Sequence, residues 1–135
     1  MRALRLLALA VMLPALLTGC GSDGDPAPET PPAEQHYPDV VEVTVEPAEA
    51  GTYTFHVTIS SPYDTPERYA DGWRVVGPDG SVYGEHTLAH DHANEQPFTR
   101  TQSGVDIPAD VSEVTVEGRD SENGYGGETV TVELP

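Results

Sequence analysis

The sequence predicts an all-β fold, an antiparallel β-sandwich, and three observations carry that expectation. Valines and threonines alternate with a period of two in several short bursts, which places one side of each burst on a core and the other in water. Thirteen glycines and thirteen prolines favour many turns over helices. No amphipathic stretch with helical spacing appears after residue 38. The chain has 135 residues, enough for one domain of ordinary size beside an N-terminal segment.

The elements follow in order from Asp39. Val41, Val43 and Val45 alternate with Glu42, Thr44 and Glu46 in a first strand. After a turn from Pro47 to Gly51, Tyr53, Phe55, Val57 and Ile59 alternate with Thr54, His56 and Thr58 in a second, antiparallel to it. Ser61 to Ala70, with Pro62 and Pro66, reads as a loop. Asp71 to Val76 forms a third strand with Trp73 and Val75 on one face, the tryptophan expected to pack against aliphatic residues. Gly77-Pro78-Asp79-Gly80 then turns the chain into a fourth strand, Ser81 to Leu88. Ala89 to Gln96 is polar and rich in histidine, and Pro97 to Val105 reads as an edge strand. Val111 to Glu117 and Thr129 to Leu134 close the domain as a hairpin around Gly118 to Gly127. Seven short strands at regular spacing over 39–135 are the base pattern of a seven-stranded immunoglobulin-like antiparallel β-sandwich.

Charge excludes some functions at once. The chain has 23 acidic residues against six arginines and no lysine, for a net charge of −17. Arg2 and Arg5 lie in the N-terminal segment, so the remainder carries −19. Nucleic acid is not an expected partner, because binding it requires cationic side chains that displace counterions. Two readings compete for the acidity, a dedicated cation-binding face and solubility in concentrated salt, where dense carboxylates hold water and screening removes their repulsion. The absence of lysine over the whole chain favours the second.

The N-terminal 38 residues have a different organisation. Arg2 and Arg5 precede an apolar run from Leu6 to Leu17, too short to span a bilayer as a stable helix, and Leu17-Thr18-Gly19-Cys20 ends it at the only cysteine. One cysteine forms no internal disulfide. Gly21 to Pro38 holds five prolines and four acids with scarcely an apolar residue. It is expected to be a disordered, extended spacer of roughly 50 Å. The expected domains are therefore a signal segment (1–19), Cys20 with an acidic Pro-rich linker (20–38), and the sandwich (39–135).

Leu17-Thr18-Gly19-Cys20 resembles the lipobox of bacterial lipoprotein signal peptides. That resemblance implies lipidation of Cys20 after cleavage, with acyl chains such as palmitate, and a membrane partner reached through the lipid anchor. It implies a cell-envelope location, with Gly21 after the cysteine favouring the periplasmic face of an outer membrane or the cell surface if the cell is Gram-negative. The closing hairpin is similar to that of fibronectin type III domains. The GPDG turn, the Glu95-Gln-Pro-Phe-Thr-Arg100 run and the Asp120-Ser-x-x-Gly-x-Gly-Gly loop also resemble uncharacterised bacterial sequences. Those relatives are expected to carry a histidine where Asn123 stands here.

One cluster carries metal chemistry. His90 and His92, two apart on an extended backbone, can turn both imidazoles to one side, and Glu95 follows them. Zn²⁺ or Cu²⁺ wants three or four donors, so these three residues are the candidate ligands. His86, Asp91, Asp120 and Glu122 are candidate additions from neighbouring loops. In fibronectin-type order, the connections after the second, fourth and sixth strands share one end of the sandwich, which also receives the spacer. Catalytic motifs are lacking, with no G-x-S-x-G, P-loop, dinucleotide fingerprint or H-E-x-x-H, so no enzyme is expected and a small hydrolase is the weakest alternative. The expected role is a binding or structural module with a protein or cell-wall partner and no cofactor, the divalent-metal protein being the alternative.

Overall fold

In a computed structural model, residues 34–135 are described; the signal segment, Cys20 and most of the linker lie outside them. Eight strands form: β1 (Asp39–Pro47), β2 (Thr52–Ser60), β3 (Ala70–Val76), β4 (Val82–Thr87), β5 (Phe98–Asp106), β6 (Glu113–Asp120), β7 (Gly124–Tyr125) and β8 (Val130–Glu133). One three-residue helical turn, Glu49–Gly51, links β1 to β2. Seven of the strands are those that the alternation predicts. The eighth, β7, is a two-residue return that pairs Tyr125 with Arg119 and Gly124 with Asp120 before the chain reaches β8.

All pairings are antiparallel, in two sheets ordered β1-β2-β5 and β4-β3-β6-β7, with β8 also on β6. This is the immunoglobulin-like sandwich with the fourth strand on the sheet of the third. The inward faces meet in one core: Phe55, Val57, Ile59 and Phe98 from the first sheet, and Trp73, Val75, Val114 and Val116 from the second, are all buried. Burial of these side chains is the main stabilising contribution, about 1.5–3 kcal/mol for each large one.

Two details of the core differ from the sequence expectation. On β1 the register shifts between Val40 and Glu42, so Val40 takes the inward place and Val41 is 51% exposed. Such a bulge adds one residue to one strand and reverses the facing of the residues before it, a change that alternation alone does not reveal. Trp73, moreover, has polar neighbours as well as aliphatic ones. Its indole Nε1–H donates to Gln102 Oε1 at 2.8 Å, and its ring stacks on the His86 imidazole with centroids 4.2 Å apart.

A third difference concerns where folding begins. The last residues of the expected linker, from Glu34 to Pro38, pack on the sandwich within a compact unit, Ala33–Pro135. Gln35 Nε2 donates to Ser60 O (3.1 Å), Arg68 Nη2 donates to Gln35 O (3.1 Å), and Asn123 Nδ2 donates to His36 O (3.1 Å). Pro38 is buried against Gly118, and Tyr37 lies against Gly126, where a Cβ would collide with its ring. Gly127 has a φ of +84°, and a side chain there would run into the Pro38 carbonyl. Those three glycines make room for the incoming chain.

Candidate functional site

The register places Asp39, Ser60, Ala70, Thr87, Phe98 and Asp120 at one end of the sandwich. The connections after β2, β4 and β6 meet there, beside the incoming chain. Asp64, on the first of these connections, is buried and ties the start of β3 to the connection after β4. Its Oδ1 accepts from Ala70 N and its Oδ2 from His92 N, each at 3.0 Å. Gln96 ties the β4–β5 connection to the end of β2: its Oε1 accepts from Ser61 N (2.6 Å), and its Nε2 donates to Ser61 Oγ and His92 O, both at 3.1 Å.

The candidate metal ligands sit on this lattice. His90 and His92 are brought together, with ring centroids 4.7 Å apart and planes tilted by 34°. His92 is 3% exposed and stacks on Phe98 at 3.9 Å, while His90 Nδ1 lies 2.8 Å from Asp91 O. Glu95 turns instead to Arg100, its Oε2 2.8 Å from Nη2. Among the described residues, no group of three His, Cys, Asp or Glu side chains is placed to hold a metal ion. Of the additional candidates, His86 lies in β4 against Trp73, Asp91 Oδ1 accepts from Ala93 N (3.3 Å), and the exposed Glu122 contributes its backbone N–H to Asp120.

Asp120 is the residue that the sequence placed in a solvated loop and that the fold buries. Its side chain is fully enclosed. Oδ1 accepts from the backbone N–H of Glu122 (3.1 Å) and Asn123 (2.8 Å) and from Asn123 Nδ2 (2.8 Å), and Arg68 Nε stands 3.3 Å from Oδ2. Tyr63 Oη and Asp120 Oδ2 are both buried without a hydrogen-bond partner, and the hydroxyl stands close enough to the carboxylate to feel its charge. Burial alone would raise the Asp120 pKa, but these donors outweigh it and hold the carboxyl below its ordinary value. Burial and the anionic neighbour push the Tyr63 hydroxyl up, so the pair is a phenol on a carboxylate at every physiological pH. Asn123 therefore reaches the structure as a cap on Asp120 and a hook on the incoming chain, not as a ligand.

The motifs shared with uncharacterised sequences acquire roles here. Glu95 and Arg100 pair across the EQPFTR run, Gln96 ties Ser61, and Phe98 carries the His92 ring. Asp120 and Ser121 open the closing loop, Ser121 Oγ accepting from Tyr69 N at 3.1 Å. Gly126 and Gly127 admit Tyr37 and Pro38. These residues hold three connections and the incoming chain to one another.

Titration of the stacked histidines yields a pH prediction. Burial, then Arg100 and His90, lower the His92 pKa against the opposing pull of Glu95 and Asp64, and burial lowers that of His86. The fold thus holds the neutral rings. Their contribution is complete above the unfolded value of about 6.5 and is lost as pH falls through the lower folded values. Melting temperature is expected to drop between pH 6.5 and the onset of carboxylate protonation, and His92→Phe, which keeps a ring on Phe98, is expected to flatten that drop. An unchanged pH profile in the variant would remove His92 from the account.

At the opposite end, the β3–β4 turn and the β5–β6 connection flank an open groove of about 460 Å³. It is lined by Pro78, Asp79, Tyr83, Pro108, Asp110 and Val111 among others. The sequence marks one side of it, the GPDG turn, but not the groove, because its two sides are some thirty residues apart in the chain.

Comparison with known proteins yields no matching family model and no matching solved structure. A curated protein of Halomicrobium mukohataei, named "Putative lipoprotein", is 33% identical over 105 residues, which are 78% of this chain and 51% of the relative. The chain thus spans about half the length of the curated relative that it matches. Over most of its own length it is similar to a protein named as a lipoprotein, in agreement with the resemblance carried by Leu17-Thr18-Gly19-Cys20.

Proposed function

We propose that the chain is a cell-envelope lipoprotein: Cys20 is acylated, the acidic Pro-rich segment holds the domain off the membrane, and the sandwich is carried as a binding or structural module without catalytic activity. The observation that supports this best is the sole cysteine, closing a short apolar run in a chain whose relative is named as a lipoprotein. No helix among the described residues is long and apolar enough to cross a membrane. A lipid anchor would supply that attachment, with two or more acyl chains giving stable binding. The surface chemistry supports work in concentrated salt: there is no lysine, and each arginine of the sandwich is paired with a carboxylate.

Expression of the full chain with labelled palmitate tests the anchor. The label is expected in the protein, with the protein in the membrane fraction, and Cys20→Ser is expected to abolish both. Unlabelled protein that stays with the membrane would overturn the proposal.

Divalent-metal binding is the second reading, favoured by the close His90 and His92 rings and by the buried His92 Nδ1, which has no hydrogen-bond partner. It requires Glu95 to leave Arg100. Titration calorimetry with Zn²⁺, Cu²⁺ and Ca²⁺ in high salt is expected to give micromolar or tighter binding that disappears in His90→Ala/His92→Ala. Absence of binding, or binding unchanged in the variant, retires it.

A further inference from the structure

The groove between the β3–β4 turn and the β5–β6 connection lies at the end of the sandwich opposite the incoming chain. Its volume, about 460 Å³, is within the range of small-ligand sites. Prolines 78 and 108 and Val111 give it apolar walls beside Ser81 and Ser112, Tyr83 brings an aromatic ring, and Asp79 and Asp110 make it acidic. The ring lies over Gly77, where a Cβ would come within 2.6 Å of it, and packs partly against the core. Asp79 is likewise fixed, accepting from Ser81 N (3.0 Å) and Ser81 Oγ (2.9 Å), and those hydrogen bonds keep its carboxyl ionised.

The domain itself shows what such a combination holds. Each of its four arginines sits over an aromatic ring and beside a carboxylate. Arg68 is 4.3 Å from the Tyr63 ring centroid with Asp120 at 3.3 Å; Arg74 is 4.0 Å from Tyr125 with Glu117 at 2.6 Å. Arg100 is 5.4 Å from Phe98 with Glu95 at 2.8 Å; Arg119 is 5.7 Å from Tyr125 with Asp71 at 2.7 Å. The groove offers the same two groups, a ring and carboxylates, and no arginine lines it. All four are engaged elsewhere, and there is no lysine to take their place.

We propose that this groove receives an arginine side chain presented by a partner protein. A guanidinium is planar and weakly hydrated, so it can lie on the Tyr83 ring while its N–H groups donate to Asp79 and Asp110. An ammonium is more strongly hydrated and lacks the planar fork, so lysine is the poorer occupant. Anionic partners are repelled by both carboxylates and by the charge of the whole domain. Stacking and short hydrogen bonds also survive salt that screens longer-range attraction. The inference rests on the binding-module part of the reading above and is independent of the lipid on Cys20.

The test is a titration of the ¹⁵N-labelled full chain in detergent micelles with acetyl-Gly-Arg-Gly-amide. Salt of about 1 M, where the screening length is ~3 Å, suppresses diffuse attraction to the acidic surface. The amides of Asp79 to Tyr83 and Asp110 to Ser112 are expected to shift together and saturably. The lysine and citrulline peptides, and the Asp110→Asn variant with the arginine peptide, are expected to bind roughly tenfold more weakly. Asp110 is exposed, and a dispersed spectrum reports that the variant is folded. Absence of shifts at millimolar peptide overturns the proposal, as do shifts scattered over the surface, equal binding of the three peptides, or no effect of Asp110→Asn. None of these outcomes bears on palmitate labelling of Cys20.

Discussion

Asp120→Ala is expected to destabilise the domain by about 3–5 kcal/mol, measured by denaturant unfolding with the fluorescence of Trp73, the chain's one tryptophan. Removing this carboxylate strands several partners at once: the Arg68 guanidinium, the N–H groups of Glu122 and Asn123, and the Asn123 amide. A buried charge left without its counter-ion costs more than the pair contributes in place. Domains of this size have about 5–15 kcal/mol in all, so the loss is a large share. Asp120→Asn keeps an acceptor oxygen but not the charge, and is expected to fall between the variant and the parent. A loss under about 1 kcal/mol in the alanine variant would mean that water replaces the carboxylate and that the loop end is looser than described.

Trp73→Ala is the second large effect, expected at about 3–5 kcal/mol by the same measure followed through far-ultraviolet circular dichroism. The ring is fully buried at the centre of β3, between the two sheets. Its removal leaves a cavity, exposes the inner face of His86, and deprives Gln102 Oε1 of its donor. Trp73→Phe separates these contributions. It keeps most of the volume but loses the indole N–H, and is expected to cost about 1–3 kcal/mol through the orphaned amide oxygen. Gln102→Leu on that background is expected to recover part of the loss, because an apolar pair needs no hydrogen bond. Failure to recover would place the cost of Trp73→Phe in packing.

The strands were legible because a two-sided sheet writes itself into the chain as alternation. Val57 and Ile59, or Val114 and Val116, have no other arrangement that buries them together while keeping Thr58 and Thr115 in water. Val41 was misplaced because the bulge beside it depends on pairing with Ile59 and Thr58, not on any residue of β1. The loop end was legible as a place, since alternating strand directions put three connections there. Its contents were not. Asp120 and Glu122 are equal in sequence, yet one is enclosed and the other exposed, because Arg68 and Tyr63 come from a loop some fifty residues earlier. The adjacency of His90 and His92 followed from their spacing, whereas the pull of Arg100 on Glu95 depends on where β5 begins. Gln35 to Pro38 read as spacer because composition reports an inability to form a core, and these residues borrow one that already exists.

The attachment of the incoming chain has a mechanical consequence. Tension applied through the N-terminal side of Gln35 would not arrive first at the hydrogen bonds between β1 and β2. It would meet the contacts of Arg68 with Gln35 O and of Asn123 with His36 O, and the wedging of Pro38 against Gly118 and Gly127. The load is thereby divided between the loop after β2, which joins the two sheets, and the loop after β6, and β1 is spared the residue-by-residue peeling to which a strand pulled from its free end is exposed. Any drag on the sandwich would load the second sheet together with the loop that joins it to the first, so the domain should resist extension as a unit and not lose β1 alone.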